Sequence, residues 1–124
     1  MPTEAEIEAL NDSLLLTTAE IATSANLALN ANAEMQEQES AMDLREAQLL
    51  SAIANDRVTY QNAEARKAAI IEQCALDAVF QAARDAAVAA ELAKRQAEIQ
   101  TETGRKTFRA NELLLLYYAN NPTP

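Results

Sequence analysis

Three sets of side chains in this chain could do chemistry. The first is a single thiol, Cys74, set among Ile70, Ile71, Ala75 and Ala78. A cysteine in apolar surroundings keeps its proton and packs as a small hydrophobe. One cysteine alone makes neither an internal disulfide nor a thiolate zinc site. The second set is carboxylates at helical spacing, Glu34 with Glu37, and Glu39 with Asp43 and Glu46. Such oxygens suit a hard cation, but the same spacing is that of a solvated helix face, and we read it as the latter. The third is the one basic cluster, Arg105, Lys106 and Arg109, which could meet a phosphate or an acidic neighbour.

Charge decides between those two partners. Residues 1–56 carry eleven acids against Arg45, a balance of −10, while residues 57–124 carry nine bases and eight acids, giving the chain its net −9. An acidic chain repels a phosphate backbone, which argues against direct nucleic-acid binding. The basic cluster is expected to complement the acidic half, within the chain or between chains. Other catalytic chemistry lacks its parts. There is no His, so there is no ordinary general base near neutral pH, no Ser-His or Cys-His pair and no Glu-x-x-His metal motif. One glycine cannot form a phosphate-binding loop. The chain is therefore expected to have no catalytic residue, metal or cofactor.

The elements that hold these groups are helices. From Thr3 to Asn121 there is no proline, and Gly104 is the only glycine. Ala, Glu, Gln, Leu, Arg and Lys dominate, residues that lose little on entering a helix, and strand alternation is absent. Hydrophobic residues make up 49% of the 124, but 28 are Ala and only five are Phe or Tyr. Much apolar surface with little apolar volume favours closely packed helices over a thick core. The expected fold is all-α: a long antiparallel helical hairpin or coiled-coil-like bundle with a short C-terminal helix, assembling with other chains.

The chain is expected to form one domain over residues 1–124, with a helix over about 4–54, a turn at 55–61, a helix over 62–103 and a short helix over 106–119. Thr3 and Glu6 have capping-box spacing at the start. Ile7, Leu14, Ile21, Ala28, Met35, Met42 and Leu49 repeat at seven and form the expected helix seam. Their companions three residues on include Thr17, Ser24, Gln38 and Arg45, so the apolar seam is narrow. Asn55 to Asn62 is the densest polar stretch available for a reversal; one uninterrupted helix is the alternative. In the second helix Ala68, Ala75, Ala82 and Ala89 repeat at seven, joined by Ile71, Ala78, Leu92 and Ile99. Small residues there would let helix axes approach closely. Gly104 fits a helix C-terminal cap, and Asn120-Asn121-Pro122 a final stop. The run Leu113, Leu114, Leu115, Leu116, Tyr117 and Tyr118 covers every side of a helix. With Ala68, Ala75, Ala82 and Ala89 it forms the expected oligomer interface, since a small monomer would otherwise expose a large apolar patch.

Residues 13–33 are mildly apolar but carry Glu20 and several Asn, Ser and Thr, short of what a membrane span needs. The N-terminal stretch lacks the basic region of a secretory signal. Thr59, Ala65, Arg66 and Ala69, then Leu92 to Ile99, then Leu113 to Leu116, give the chain a compositional pattern that resembles short Ala/Glu-rich helical proteins of tailed bacteriophages and prophages. It departs from them in its more acidic first half and its Tyr117-Tyr118 tail. The resemblance implies a phage protein without known chemistry, in the virion or the host cytoplasm, sometimes associated with recombination, and it carries over no site residue. The expected function is a non-enzymatic, self-associating structural protein whose partners are itself and other proteins of an assembly. The alternative is an acidic helical accessory or adaptor of a phage recombination or replication system.

Overall fold

Thr3 starts the first helix. Its Oγ1 accepts the Glu6 N–H at 3.1 Å, and Glu6 Oε2 accepts the Thr3 N–H at 3.3 Å; each side chain satisfies an amide that the first turn leaves open. The computed structural model describes residues 2–56 and 59–121. It contains α1 over Glu4–Asn55, α2 over Ala63–Leu76 and α3 over Ala78–Asn120, with no strand among the described residues. The long first helix packs against the third.

The uninterrupted helix is ruled out. Asp56 follows α1 and holds the next residues through its side chain and carbonyl: Oδ1 accepts the Thr59 N–H and O accepts the Tyr60 N–H, each at 3.1 Å. Arg57 and Val58 of the expected turn lie outside the described residues. Asn62 then caps α2, its Oδ1 accepting the Ala65 N–H at 2.7 Å. At the far end the Asn121 N–H and Nδ2 both donate to the Tyr117 carbonyl; Pro122 of the expected stop lies outside the described residues.

Two boundaries differ from expectation. Helix α3 runs through Gly104, so there is no cap there and no separate helix over 106–119. No glycine has a positive φ, and this one serves packing instead. A Cβ at Gly104 would stand 2.8 Å from Ile21 Cγ1, so the missing side chain is what lets α1 and α3 approach. The helix expected over 62–103 is instead interrupted at Asp77, which has extended backbone. There the Asp77 N–H still donates to the Gln73 carbonyl at 2.8 Å, closing α2, while Oδ2 accepts the Phe80 N–H at 2.8 Å, opening α3. One aspartate serves both helix ends, a job its short acceptor side chain suits.

The chain divides into two compact units, one formed by Met1–Asn30 with Ala93–Pro124 and the other by Ala31–Leu92. The first is a pair of antiparallel helices. Along α1 residues 10, 14, 17, 21, 24 and 28 turn inward, and along α3 residues 94, 97, 101, 104, 108, 111, 115 and 118. Both series step by three and four, the period of a left-handed pair. Asn111 Nδ2 donates to Ser13 Oγ at 3.1 Å, and Ser24 Oγ lies 2.7 Å from Thr101 Oγ1. As numbers rise on one helix they fall on the other. The second unit packs three helices, the end of α1, all of α2 and the start of α3, around Ile53, Ala69, Ala83, Ala87 and Ala90.

The expected seam residues Leu14, Ile21, Met35, Met42 and Leu49 are half-buried, and Ile7 is more open at 36% exposure. Their polar companions join the same face. Thr17 and Ser24, each 5% exposed, are its most buried members in the first unit.

Candidate functional site

Of the groups that could do chemistry, Glu46 lines the same cleft as Cys74. Cys74 is half-buried beside a cleft of about 370 Å³ that Met42, Ile70, Phe80 and Arg84 also line. Burial raises its pKa, and the Glu46 and Asp77 carboxylates push the same way. All three causes disfavour the thiolate that a nucleophile or ligand would need. Glu34 accepts a hydrogen bond from Gln38 at 2.9 Å on its own helix. Among the described residues, no three Cys, Asp or Glu side chains come together in a way that could hold a metal ion. In the basic cluster, Arg109 pairs with Glu112 one turn along α3 rather than with the acidic first half of its own chain. No helix among the described residues is long and apolar enough to cross a membrane.

The strongest polar site is structural. Arg45 Nε and Nη2 donate to Asp77 Oδ2 and Oδ1 at 2.9 and 2.8 Å, a two-pronged pair with side-chain exposures of 31% and 14%. Planar guanidinium meets planar carboxylate, the geometry that makes such pairs strong. The Arg45 hydrogen bond and the Phe80 amide hold the Asp77 carboxyl at about 2, well below the usual carboxylate range, and its partner raises Arg45 in turn. Arg45 thus locks the α2–α3 junction onto α1. Around it, Gln81 Nε2 bridges the break to the Cys74 carbonyl at 2.9 Å, and Gln73 Nε2 donates to the Tyr60 hydroxyl at 3.2 Å.

In the first unit a cleft of about 560 Å³ is lined by Thr17, Thr23, Ser24, Thr103, Thr107 and neighbours. Several of the hydroxyls there are already engaged. Thr17 Oγ1 donates to the Ser13 carbonyl at 2.7 Å, Thr23 Oγ1 to Ala19, and Thr101 Oγ1, next to Ser24, to Ala97 at 2.9 Å. Hydroxyls that donate to their own helix are already used as donors and do not make a ligand cradle.

The outward surface is more informative. Ala68, Ala75, Ala82 and Ala89, expected at an oligomer interface, are all exposed. The alanines that pack within the chain are Ala69, Ala83, Ala87, Ala90 and Ala97, of which Ala69, Ala83, Ala90 and Ala97 lie one position beyond the expected heptad, while Leu76 on that register is exposed. The C-terminal apolar run divides in the same way. Leu113, Leu114, Leu116 and Tyr117 are exposed, at 49%, 41%, 50% and 61%. Leu115 and Tyr118 are half-buried and line, with Ile7, a cleft of about 430 Å³ in the same unit. They continue the inward three-four series of α3, so the run is shared between the chain's own seam and the outside. Three contacts lie beyond what the sequence pattern foretold: Ser24 with Thr101, Arg45 with Asp77, and Gly104 with Ile21. The signal for the first two was present, because Thr17, Ser24, Gln38 and Arg45 sit three residues after apolar seam positions. Polar residues kept on that register are inward-facing groups awaiting partners.

Comparison of the chain with protein families, with curated proteins and with solved structures finds no match.

Proposed function

We propose that this chain is a non-enzymatic helical structural protein that self-associates, as a component of a bacteriophage particle or a comparable assembly. The observation that carries this reading is the mismatch in the first unit. Its buried residues are Thr17, Ser24, Ala97 and Thr101, while Leu15, Leu16, Leu29, Ile99 and Tyr117 are each more than 60% exposed. Apolar side chains left in water forgo roughly 1.5–3 kcal/mol each relative to burial, and exposing this many on both α1 and α3 while polar residues are buried supports contact with other chains. Two helices alone have no third side to cover them. Sedimentation equilibrium of the purified chain tests the reading: a concentration-dependent oligomer is expected, and a well-folded monomer up to high micromolar concentration overturns it.

The charge asymmetry supports a second reading, an acidic adaptor of a phage recombination or replication system that offers residues 1–56, at −10, to a basic protein surface. Such binding is steered by charge and weakens with salt. A bound fraction unchanged between low and high salt would count against it, and oligomerisation that survives high salt favours the first reading.

A further inference from the structure

Helix α3 carries a second stripe on the side away from its own seam. Ile99, Lys106 and Leu113 recur at seven, and Thr103, Ala110 and Tyr117 recur at seven between them. All six are exposed, Ile99 at 65%, Leu113 at 49% and Tyr117 at 61%. The steps are three and four, the same as those of the inward series, so the outer stripe has the period needed to pair with another helix. Over Ile99, Thr103, Lys106 and Ala110 its order is apolar, polar, polar, apolar. Those four read alike in both directions, which is what an isologous contact requires of a single helix, because each residue type must meet its complement when the helix is inverted on itself.

We propose that α3 pairs antiparallel with α3 of a second copy, about a two-fold axis near residues 104–105. The inference rests on the self-association reading above and specifies its contact. In this register Ile99 packs on Ala110 of the second copy, a large residue against a small one, and Thr103 stacks beside Lys106. Glu102, one step to the side of the stripe, faces Arg109 of the second copy, and the two-fold axis repeats the pair. Arg109, which on the single chain bonds Glu112 of its own helix, exchanges one carboxylate for another across the contact. The charges favour a second copy over an apolar helix without them, because Glu102 and Arg109 become partners when the same sequence runs back along itself. The contact is closed. It builds dimers, and larger assemblies then need a further surface, such as the exposed Leu15 and Leu29 of α1.

Sedimentation equilibrium on five chains tests this: wild type, Ile99→Glu, Glu102→Lys, Arg109→Glu, and Glu102→Lys with Arg109→Glu. All substituted positions are exposed on the single chain, and far-UV helicity with the thermal midpoint verifies that each variant folds. Ile99→Glu, which puts a charge into the stripe, is expected to weaken association by about 100-fold or more. Glu102→Lys is expected to weaken it by roughly tenfold, because both symmetry-related pairs become repulsive, and the double exchange to restore it. A monomeric wild type overturns the self-association reading itself. A wild type that associates while Ile99→Glu and Glu102→Lys associate equally well overturns this pairing and leaves self-association through another face. A double exchange that weakens association as the sum of its parts overturns the register. Should Ile99→Glu not fold, the charge pair alone decides, with Arg109→Glu by itself reporting the loss of the Arg109–Glu112 pair within the chain.

Discussion

The part of the chain made of residues 4–30 and 93–120 buries three hydroxyl-bearing side chains and one alanine, whereas the part made of residues 31–92 buries Ile53 and four alanines. The difference follows from the number of helices. Three helices enclose a volume between them, and Ile53, 1% exposed, fills it. Two helices enclose only a line of contact. There, large residues would hold the axes apart, and small ones let them close. Thr17, Ser24, Thr101 and Gly104 are such residues, and hydroxyls on a contact line add direction that alanine does not supply. The three-helix part is held by burial, and the two-helix part is aligned by pairing.

Breaking the first of these should have the largest effect. Ile53→Ala removes the one large side chain that is fully enclosed among the described residues, and we expect a loss of about 2–5 kcal/mol, measured by urea unfolding. Leu44→Ala, at a position 62% exposed in the same unit, should stay within about 0.5 kcal/mol. Equal losses at the two sites would mean that no enclosed core distinguishes residues 31–92.

In the two-helix part the sensitive point is Gly104. Leucine there should force α3 away from Ile21, costing on the order of 1–3 kcal/mol as overpacking. Gly104→Ala is the sharper probe. Alanine gains roughly 0.5–1 kcal/mol of helix propensity, but its Cβ meets Ile21 Cγ1 at 2.8 Å. Trimming Ile21 to Val should therefore leave Gly104→Ala less costly than it is in the wild-type background. If the Ala substitution stabilises the unmodified chain by the full propensity gain, close approach is not what the glycine provides.

The same glycine marks where the sequence was hard to read. As a lone breaker in an Ala-rich stretch it signals a helix end, and nothing local says that a helix face opposite needs the space. Asp77 errs the other way. Between Leu76 and Ala78 it looks like one polar residue in a helical run, and its role depends on Arg45, thirty-two positions earlier. The all-helical class, the start at Thr3 and the heptad from Ile7 to Leu49 were legible because each is fixed by neighbours within a few residues. The register of Ala69, Ala83, Ala90 and Ala97 over Ala68, Ala75, Ala82 and Ala89 was not. Both sets lie on a seven-residue register, the second with Leu76 in place of one alanine, and only the facing helix chooses between them.

Acid should separate the two parts. The Asp77 carboxyl has a pKa of about 2 in the folded chain, below the ordinary value near about 4 expected when unfolded. A lowered folded value means that the stabilisation is fully present above the unfolded pKa and is lost as pH falls through the window from about 4 to about 2. Residues 31–92 should lose hydrogen-exchange protection in that window, first around the α2–α3 junction. Asp77→Asn should lower the thermal midpoint at pH 7 and flatten this acid response. An acid profile identical in wild type and Asp77→Asn would show that the Arg45 pair does not govern it.

The smallest expected effect is the most specific to the two-helix part. Ser24 and Thr101 share a hydrogen bond of 2.7 Å between α1 and α3, and Thr101 also donates to its own Ala97 carbonyl. With the Thr101 proton directed to Ala97, the Ser24 hydroxyl is the natural donor across the contact. Ser24→Ala thus removes the donor and leaves Thr101 Oγ1 bonded on its own helix, so the loss should be about 1 kcal/mol. Thr101→Ala leaves the Ser24 hydroxyl able to turn to the Ile21 carbonyl, 3.1 Å away, and the loss should be similar. Removing both hydroxyls deletes one shared bond once, so the double variant should cost less than the two single losses added, with the coupling read from a double-mutant cycle. Purely additive losses would mean that the two hydroxyls act only through their own helices. The alignment of the two-helix part would then rest on the Gly104 contact and on Asn111 with Ser13.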